Sequence, residues 1–314
     1  MTSMQSRFLR FHEAIKLKNT DENATLREKR DAVLERMRHQ GLTFDWFNQG
    51  SYAMGTGVEP VQDDFDIDVG IVFSGIPRPI DPLALKGTVF KAVSGHTTSV
   101  EWRRHCIRVQ YVRAGEPTYH VDLPVYWKDR STGQLWLAVG KQHSGPGHKS
   151  WEHSDPRGLI DRVKSRFQGE DQKQFRRIVR YLKRWKDLHF PIHGHASPVG
   201  IGITVAALES FRPARATWSV ATESGYDDLK ATLDFVDRMR DRFFPSCHGG
   251  EFAHRISAEL PVQPRSDAFA RMTNQQMREF KQRLDTLYEL LDQACRTETT
   301  EPLQRAFGTA FPMS

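Results

Sequence analysis

Apolar side chains recur three and four residues apart through the first forty positions, at Phe8, Phe11 and Ile15 and again at Leu26, Val33, Leu34 and Met37. The polar stretch NTDENAT separates the two groups. The spacing predicts two helices, or one broken helix, closed before Gly41, a residue that accepts the left-handed backbone of a helix end. The period then changes. In DDFDIDVGIVF (63–73) acids alternate with large apolar residues, and a period of two is that of a strand. A helix is expected at about 82–94, with Asp81 as its cap and Pro82 in its first turn. VEWRRHCIRVQYVRAGEPTYHVDLPVYW (100–127) reads as a strand, a turn at AGEP and a second strand.

From about residue 157 the spacing is helical almost throughout, near 158–168, 172–189, 198–211, 226–244 and 267–296. Between the two regimes lies KQHSGPGHKSWEHSDPRG (141–158), rich in Gly, Pro, Ser and His, which reads as an ordered loop or hinge. These patterns predict an α+β fold. Residues 1–150 form a mixed sheet with helices, and residues 151–314 a helical C-terminal lobe. No repeat of fixed period and no low-complexity tract interrupts them.

Composition narrows the picture. With 38% hydrophobic and 27% charged residues and a mean hydropathy of −0.59, no apolar run approaches the roughly 20 residues that span a bilayer, so no membrane role is expected. The first residues, MTSMQSRFLRFHEAIKLK, lack an apolar core and a small-residue cleavage site, and Glu13 argues against a transit peptide, so a cytoplasmic location is expected. Cys106, Cys247 and Cys295 show no paired spacing, which speaks against both a disulfide framework and a cysteine zinc site. A net charge of +6 suits an anionic partner without naming one. His143, His148 and His153 lack cysteines or a helical i, i+4 pattern, and solvent-facing or hydrogen-bonded roles are expected for them.

The chemistry is concentrated in the alternating strand. Phe65, Ile67 and Val69 can bury one face while Asp66 and Asp68 project from the other, roughly 6–7 Å apart at Cα. On a solvated edge strand such a pair means nothing, but its neighbours are informative. Gly50-Ser51 precede YAMGTG, an arrangement suited to a helix start whose N–H groups cradle anionic oxygens. Asp122 in YHVDLPVY is a third acid inside an apolar strand, which a sheet can bring beside the first two. Three inward carboxylates need cations, and oxygen donors without Cys or His favour Mg²⁺. Two such ions would serve in-line transfer of a nucleotide from an NTP to a hydroxyl, with release of pyrophosphate.

Gly50-Ser51, the pair Asp66 and Asp68, and the distant Asp122 together resemble the polymerase-β-like nucleotidyltransferases. More narrowly, QGSYAMGT, DDFDIDVGIVF, HVDLPVYW and RRIVRYLKRWKD resemble the bacterial relatives of cyclic GMP-AMP synthase, the CD-NTases, over most of the chain. The resemblance implies a nucleotidyltransferase core with a helical lobe closing over the nucleotides, and synthesis of a cyclic di- or trinucleotide from NTPs such as ATP and GTP in antiphage (CBASS-type) defence. It implies two Mg²⁺ ions, with Mn²⁺ as a substitute, on Asp66, Asp68 and Asp122, the last also taking the proton of the attacking hydroxyl. Gln49, Gly50 and Ser51 would contact the β- and γ-phosphates, and Ser197 in HASPVG is the matching serine of the helical lobe. On the helix of FRRIVRYLKRWKD, Lys183 sits at the edge of the apolar stripe and Arg180 further round, and the resemblance favours Lys183, then Arg180, as triphosphate contacts. CBASS regulatory proteins, including one conjugated to the C-terminus, are the partners it implies. DNA activation through a zinc-bearing insertion is not implied, because no matching cysteine cluster exists.

Two other functions use the same residues. One keeps the chemistry and changes the acceptor to a tRNA end, a small molecule or a protein hydroxyl. The other is a nucleotide- or RNA-binding module without catalysis, although all three acid positions are filled.

Overall fold

The computed structural model describes residues 3–17, 21–62, 64–113, 115–191, 197–216 and 225–313. Two hydrophobic clusters organise them. The first lies between a mixed sheet and the helices α2 (Asp21–His39) and α4 (Pro82–Val93). The expected caps are present at α4, where Asp81 accepts from the Leu83 amide.

Strand β2 (Phe65–Ser74) is the axis of the eight-stranded sheet. β1 (Asp45–Gln49) runs antiparallel to it, with Gln49 opposite Asp68. β3 (Ser99–Trp102) and β4 (Ile107–Arg113) lead to β5 (Glu116–Leu123), which pairs with β2 in parallel so that Asp66 lies beside His120 and Asp68 beside Asp122. β6 (Val125–Lys128) continues along β2 in the same register after Pro124, whose carbonyl accepts from the Ile71 amide. β7 (Leu135–Val139) and β8 (Ser150–Ser154) complete the sheet.

The period-two reading of β2 now acquires its faces. Phe65, Ile67, Val69, Ile71 and Phe73 are buried with Leu26, Val33, Leu34 and Met37 of α2 and Leu85, Val89 and Val93 of α4. Asp66, Asp68, Gly70 and Val72 therefore point to the opposite face. Gly70 is required there, because a Cβ would lie 2.7 Å from the Phe47 ring.

The second cluster is helical and gathers α5 (Pro156–Lys164), α6 (Gly169–His189), α7 (Gly200–Ser210), α8 (Asp228–Asp241), α9 (Asn274–Thr297) and α10 (Glu301–Phe307). The first helix, α1 (Met4–Ile15), packs here through Phe8, Phe11 and Ile15. The apolar tail docks on the same place through Ala306, Phe307 and Phe311. The Phe11 ring stacks on Tyr181 at 5.2 Å, and Phe8 meets Phe311 edge-on at 5.0 Å. The α+β class read from the sequence is thus borne out.

Two local readings are corrected. Residues 141–158 are not loop throughout, because Ser150–Ser154 form β8 and pair with β7, where Trp136 stacks on His153 at 5.3 Å. The C-terminal half is not wholly helical either. Phe244–His248 (β9) and Glu251–Arg255 (β10) form a hairpin across Gly249-Gly250, at the end of the segment 226–244 expected as one helix. Among the described residues no helix is long and apolar enough to cross a membrane.

Candidate active site

At Gln49 the chain leaves β1 and enters the single turn of α3 (Gly50–Met54) through Gly50, at φ +65°. A Cβ at Gly50 would lie 1.9 Å from Asp68 Oδ2, so glycine is required twice over, by backbone conformation and by contact. This close approach brings Gln49, Gly50 and Ser51 against the acids of β2.

A cavity of about 540 Å³ opens between the sheet face and the helical cluster. Gln49, Gly50, Ser51, Asp66 and Asp68 line one side, Lys183, Lys186 and Asp187 of α6 another, and Gly200 and Ile201 at the start of α7 a third. Asp66 is exposed to it and Asp68 half-buried at its floor. Neither carboxylate makes a hydrogen bond or ion pair with another described residue. Burial, with the charges of Asp66 and Asp122 behind it, pushes the Asp68 carboxyl well above the usual carboxylate range. The charges of the two neighbouring acids favour a positive ion beside Asp68.

The donor chemistry fits a hard divalent cation on Asp66 and Asp68: oxygen only, and unpaired. Asp122 stands differently. It is beside Asp68 on the same face, yet it is absent from the cavity wall and gives both oxygens to Arg108 of β4 at 2.7 Å. Among the described residues no three His, Cys, Asp or Glu side chains are disposed to hold a metal ion as they stand.

Lys183 faces the acids across the cavity. Its ammonium donates to the Thr56 carbonyl at 3.2 Å and to Thr56 Oγ1 at 3.1 Å, and burial draws its pKa down to about 8, against the attraction of Asp66. Arg180 is placed elsewhere. Its guanidinium donates to the carbonyls of Gly57 and Gly55 at 3.0 and 2.6 Å and lies 3.0 Å from His12 Nε2. Arg184 adds a bond to the Glu59 carbonyl at 2.9 Å, so these cations of α6 grip the loop after α3. Arg180 is outside the cavity wall, and so is Ser197, whose hydroxyl donates to the Pro198 carbonyl at 3.4 Å. His12, buried against Arg180, has its pKa drawn down to about 4 and accepts from the guanidinium as neutral imidazole.

Residues 44–126 match the family model described as cyclic GMP-AMP synthase DncV-like, nucleotidyltransferase domain. The chain contains a DncV-like nucleotidyltransferase domain. The CD-NTase resemblance of its motifs, and the assignment to nucleotidyltransferases, are thereby borne out. Similar solved structures extend the likeness of fold over the whole chain. The CD-NTase CdnG of Bradyrhizobium diazoefficiens, in complex with GTP, aligns with a TM-score of 0.75 at 14% identity over 96% of this chain and 95% of that one. E. coli MS115-1 CdnC with ATP gives 0.65 at 16% over 98% of both, and apo DncV of Vibrio cholerae 0.64 at 20% over 88% and 72%.

Sequence reading missed several side chains of this nucleotidyltransferase domain and its cavity. Asp64 lines the cavity and bonds His120 Nδ1 at 2.9 Å, which holds the Asp64 carboxyl below its usual range. Its position two residues before Asp66 was the available signal. Lys186 and Asp187, ion-paired to each other, follow Lys183 on the inner side of α6.

Proposed function

We propose that the chain joins NTPs, ATP and GTP among them, into a cyclic di- or trinucleotide with release of pyrophosphate, in the cytoplasm, as the signal of a CBASS-type defence. The unpartnered pair Asp66 and Asp68, facing Lys183 across one cavity, carries this reading. A nucleoside triphosphate needs both, a place for cations and a fixed positive charge for its phosphates. Asp66 and Asp68, completed by Asp122, would hold two Mg²⁺ ions, with Mn²⁺ as a substitute. Bound there, the ions supply Lewis-acid charge at the attacking and leaving oxygens. Gln49, Gly50 and Ser51 would orient the β- and γ-phosphates, and Lys183 would leave Thr56 for the triphosphate. Regulatory partners, including one conjugated to the C-terminus, belong to the same reading. Phe311 anchors the tail and leaves Met313 half exposed.

With Mg²⁺ and mixed NTPs, the purified protein should release pyrophosphate and yield phosphatase-resistant cyclic products by mass spectrometry, and Asp66→Ala should yield none. Label transferred to RNA, a small acceptor or protein would replace the cyclic reading with the other transferase one, and undiminished synthesis by Asp66→Ala would sink both.

Lys183 gives a pH signature. A lysine whose pKa is lowered to about 8 loses its charge as pH rises through 8, whereas a free lysine keeps it to above 10. Affinity for a non-hydrolysable NTP should therefore be flat below pH 8 and fall above it, by up to about tenfold per unit. Lys183→Arg should remove that inflection. Binding that is pH-independent from 7 to 9.5 in the parent protein would take Lys183 off the triphosphate.

A further inference from the structure

Arg108 meets Asp122 across the antiparallel pair of β4 and β5, where the two are register partners. Its Nε donates to Oδ1 and a terminal nitrogen to Oδ2, each at 2.7 Å, in the fork that guanidinium and carboxylate form best. The pair is shielded, with the side chains 15% and 14% exposed. Among the described residues Asp66 and Asp68, on the same face, have no such partner. The charge of Arg108 is thus taken up by the one acid of the three that does not reach the cavity.

Resting on the nucleotidyltransferase reading above, we infer that Arg108 is a positioning residue that holds Asp122 aside in the metal-free protein and releases it when a divalent ion claims the carboxylate. A guanidinium and a dication on one carboxylate repel each other, so occupancy of the third ligand is set against the Arg108 fork. The fork also keeps Asp122 in register, ready for transfer without rebuilding of the strand. Arg108 thereby sets the metal affinity of the site, while Asp66 and Asp68 set its place.

The test uses nucleotide-free full-length protein and Mn²⁺ alone, followed by electron paramagnetic resonance and calorimetry. Arg108→Gln removes the charge and the fork, and should bind Mn²⁺ roughly tenfold tighter than the parent, since a nearby like charge is lost. Arg108→Lys keeps the charge and half the grip, should gain about threefold, and serves as the second variant for a fold that does not tolerate glutamine. Asp68→Asn is the control and should lose Mn²⁺ binding. A purely structural Arg108 would lower the melting temperature and leave Mn²⁺ affinity where it was. Unchanged or weaker binding in both Arg108 variants, with Asp68→Asn still losing the ion, overturns the role of Arg108 and leaves the site intact. Binding that Asp68→Asn does not weaken overturns the metal site itself, and this inference with it.

Discussion

Replacing Asp68 with asparagine should abolish nucleotide incorporation and, in the same protein freed of metal, raise the melting temperature. The two effects have one cause. Asp68 is half-buried beside Asp66 and Asp122 without a counter-ion of its own, and its carboxyl is pushed well above the ordinary value of 3.8. An acid whose folded pKa is raised destabilises the fold as pH rises from the unfolded value through the folded one, because the native state holds its proton longer. Metal-free parent protein should therefore lose stability over that window, and Asp68→Asn should not. Asparagine keeps the shape, so the contact with Gly50 survives and the charge alone is removed. At neutral pH the gain should be a few degrees, about what 1 kcal/mol gives a chain of this size, while activity falls by about 10³-fold or more with the loss of the proposed cation ligand. Scanning fluorimetry in EDTA at pH 5 to 8 and a pyrophosphate-release assay read the two arms. A variant that is less stable than the parent at pH 8 would mean that Asp68 has a partner after all. Stability given up at Asp68 for the sake of chemistry is an instance of the trade-off between stability and activity.

Much of this was legible before the structure, and the reason is geometric. A strand has a period of two, so Phe65, Ile67 and Val69 announce that Asp66 and Asp68 share a face, whatever the rest of the fold does. The same rule applied to IRVQYV puts Arg108 on one face with Gln110, but nothing in the sequence says that Arg108 pairs with Asp122. Register between strands is set by turns and by the other strands, and a slip of one residue would have turned Arg108 to the opposite side. Lys183 and Arg180 show the same limit on a helix. The apolar stripe of α6 fixes which residues border it, but only the position of the loop after α3 decides that Arg180 meets the carbonyls of Gly55 and Gly57 rather than the cavity. The β9–β10 hairpin escaped for a different reason. Phe244 and Phe252 are both exposed, so no alternation of buried and exposed residues marks the strands, and the fold places them through Gly249-Gly250 and contact with α9.

Asp228→Asn should cost the protein more stability than any change in the cavity. Asp228 is fully buried at the start of α8 and takes four bonds. Arg177 donates Nε to Oδ2 at 2.6 Å and a terminal nitrogen to Oδ1 at 2.8 Å, and Gln174 Nε2 donates to Oδ1 at 3.1 Å. The Tyr181 hydroxyl lies 3.0 Å from Oδ2 and 2.9 Å from the Phe8 carbonyl, with one proton for the two, while the Asp228 amide donates to Gln5 Oε1 at 2.7 Å. Asp228 thus ties α8 to α6 through its carboxylate and to α1 through its amide. Asparagine keeps the volume but leaves the Arg177 guanidinium, itself 5% exposed, without a counter-charge. Breaking a buried pair from one side costs about 3–5 kcal/mol, whereas removing both charges is often neutral. Asp228→Asn should therefore lower the denaturant midpoint sharply, and Arg177→Met with Asp228→Leu should recover most of the loss. Equal midpoints for Asp228→Asn and the parent would show that the pair is not needed. The consequence reaches the cavity, because Lys183 follows Arg177 on the same helix by six residues. A loosened α6 lets the ammonium drift from Thr56, so the double variant, with α6 repacked on apolar contacts alone, should bind NTP as the parent does, and folded Asp228→Asn should bind it more weakly.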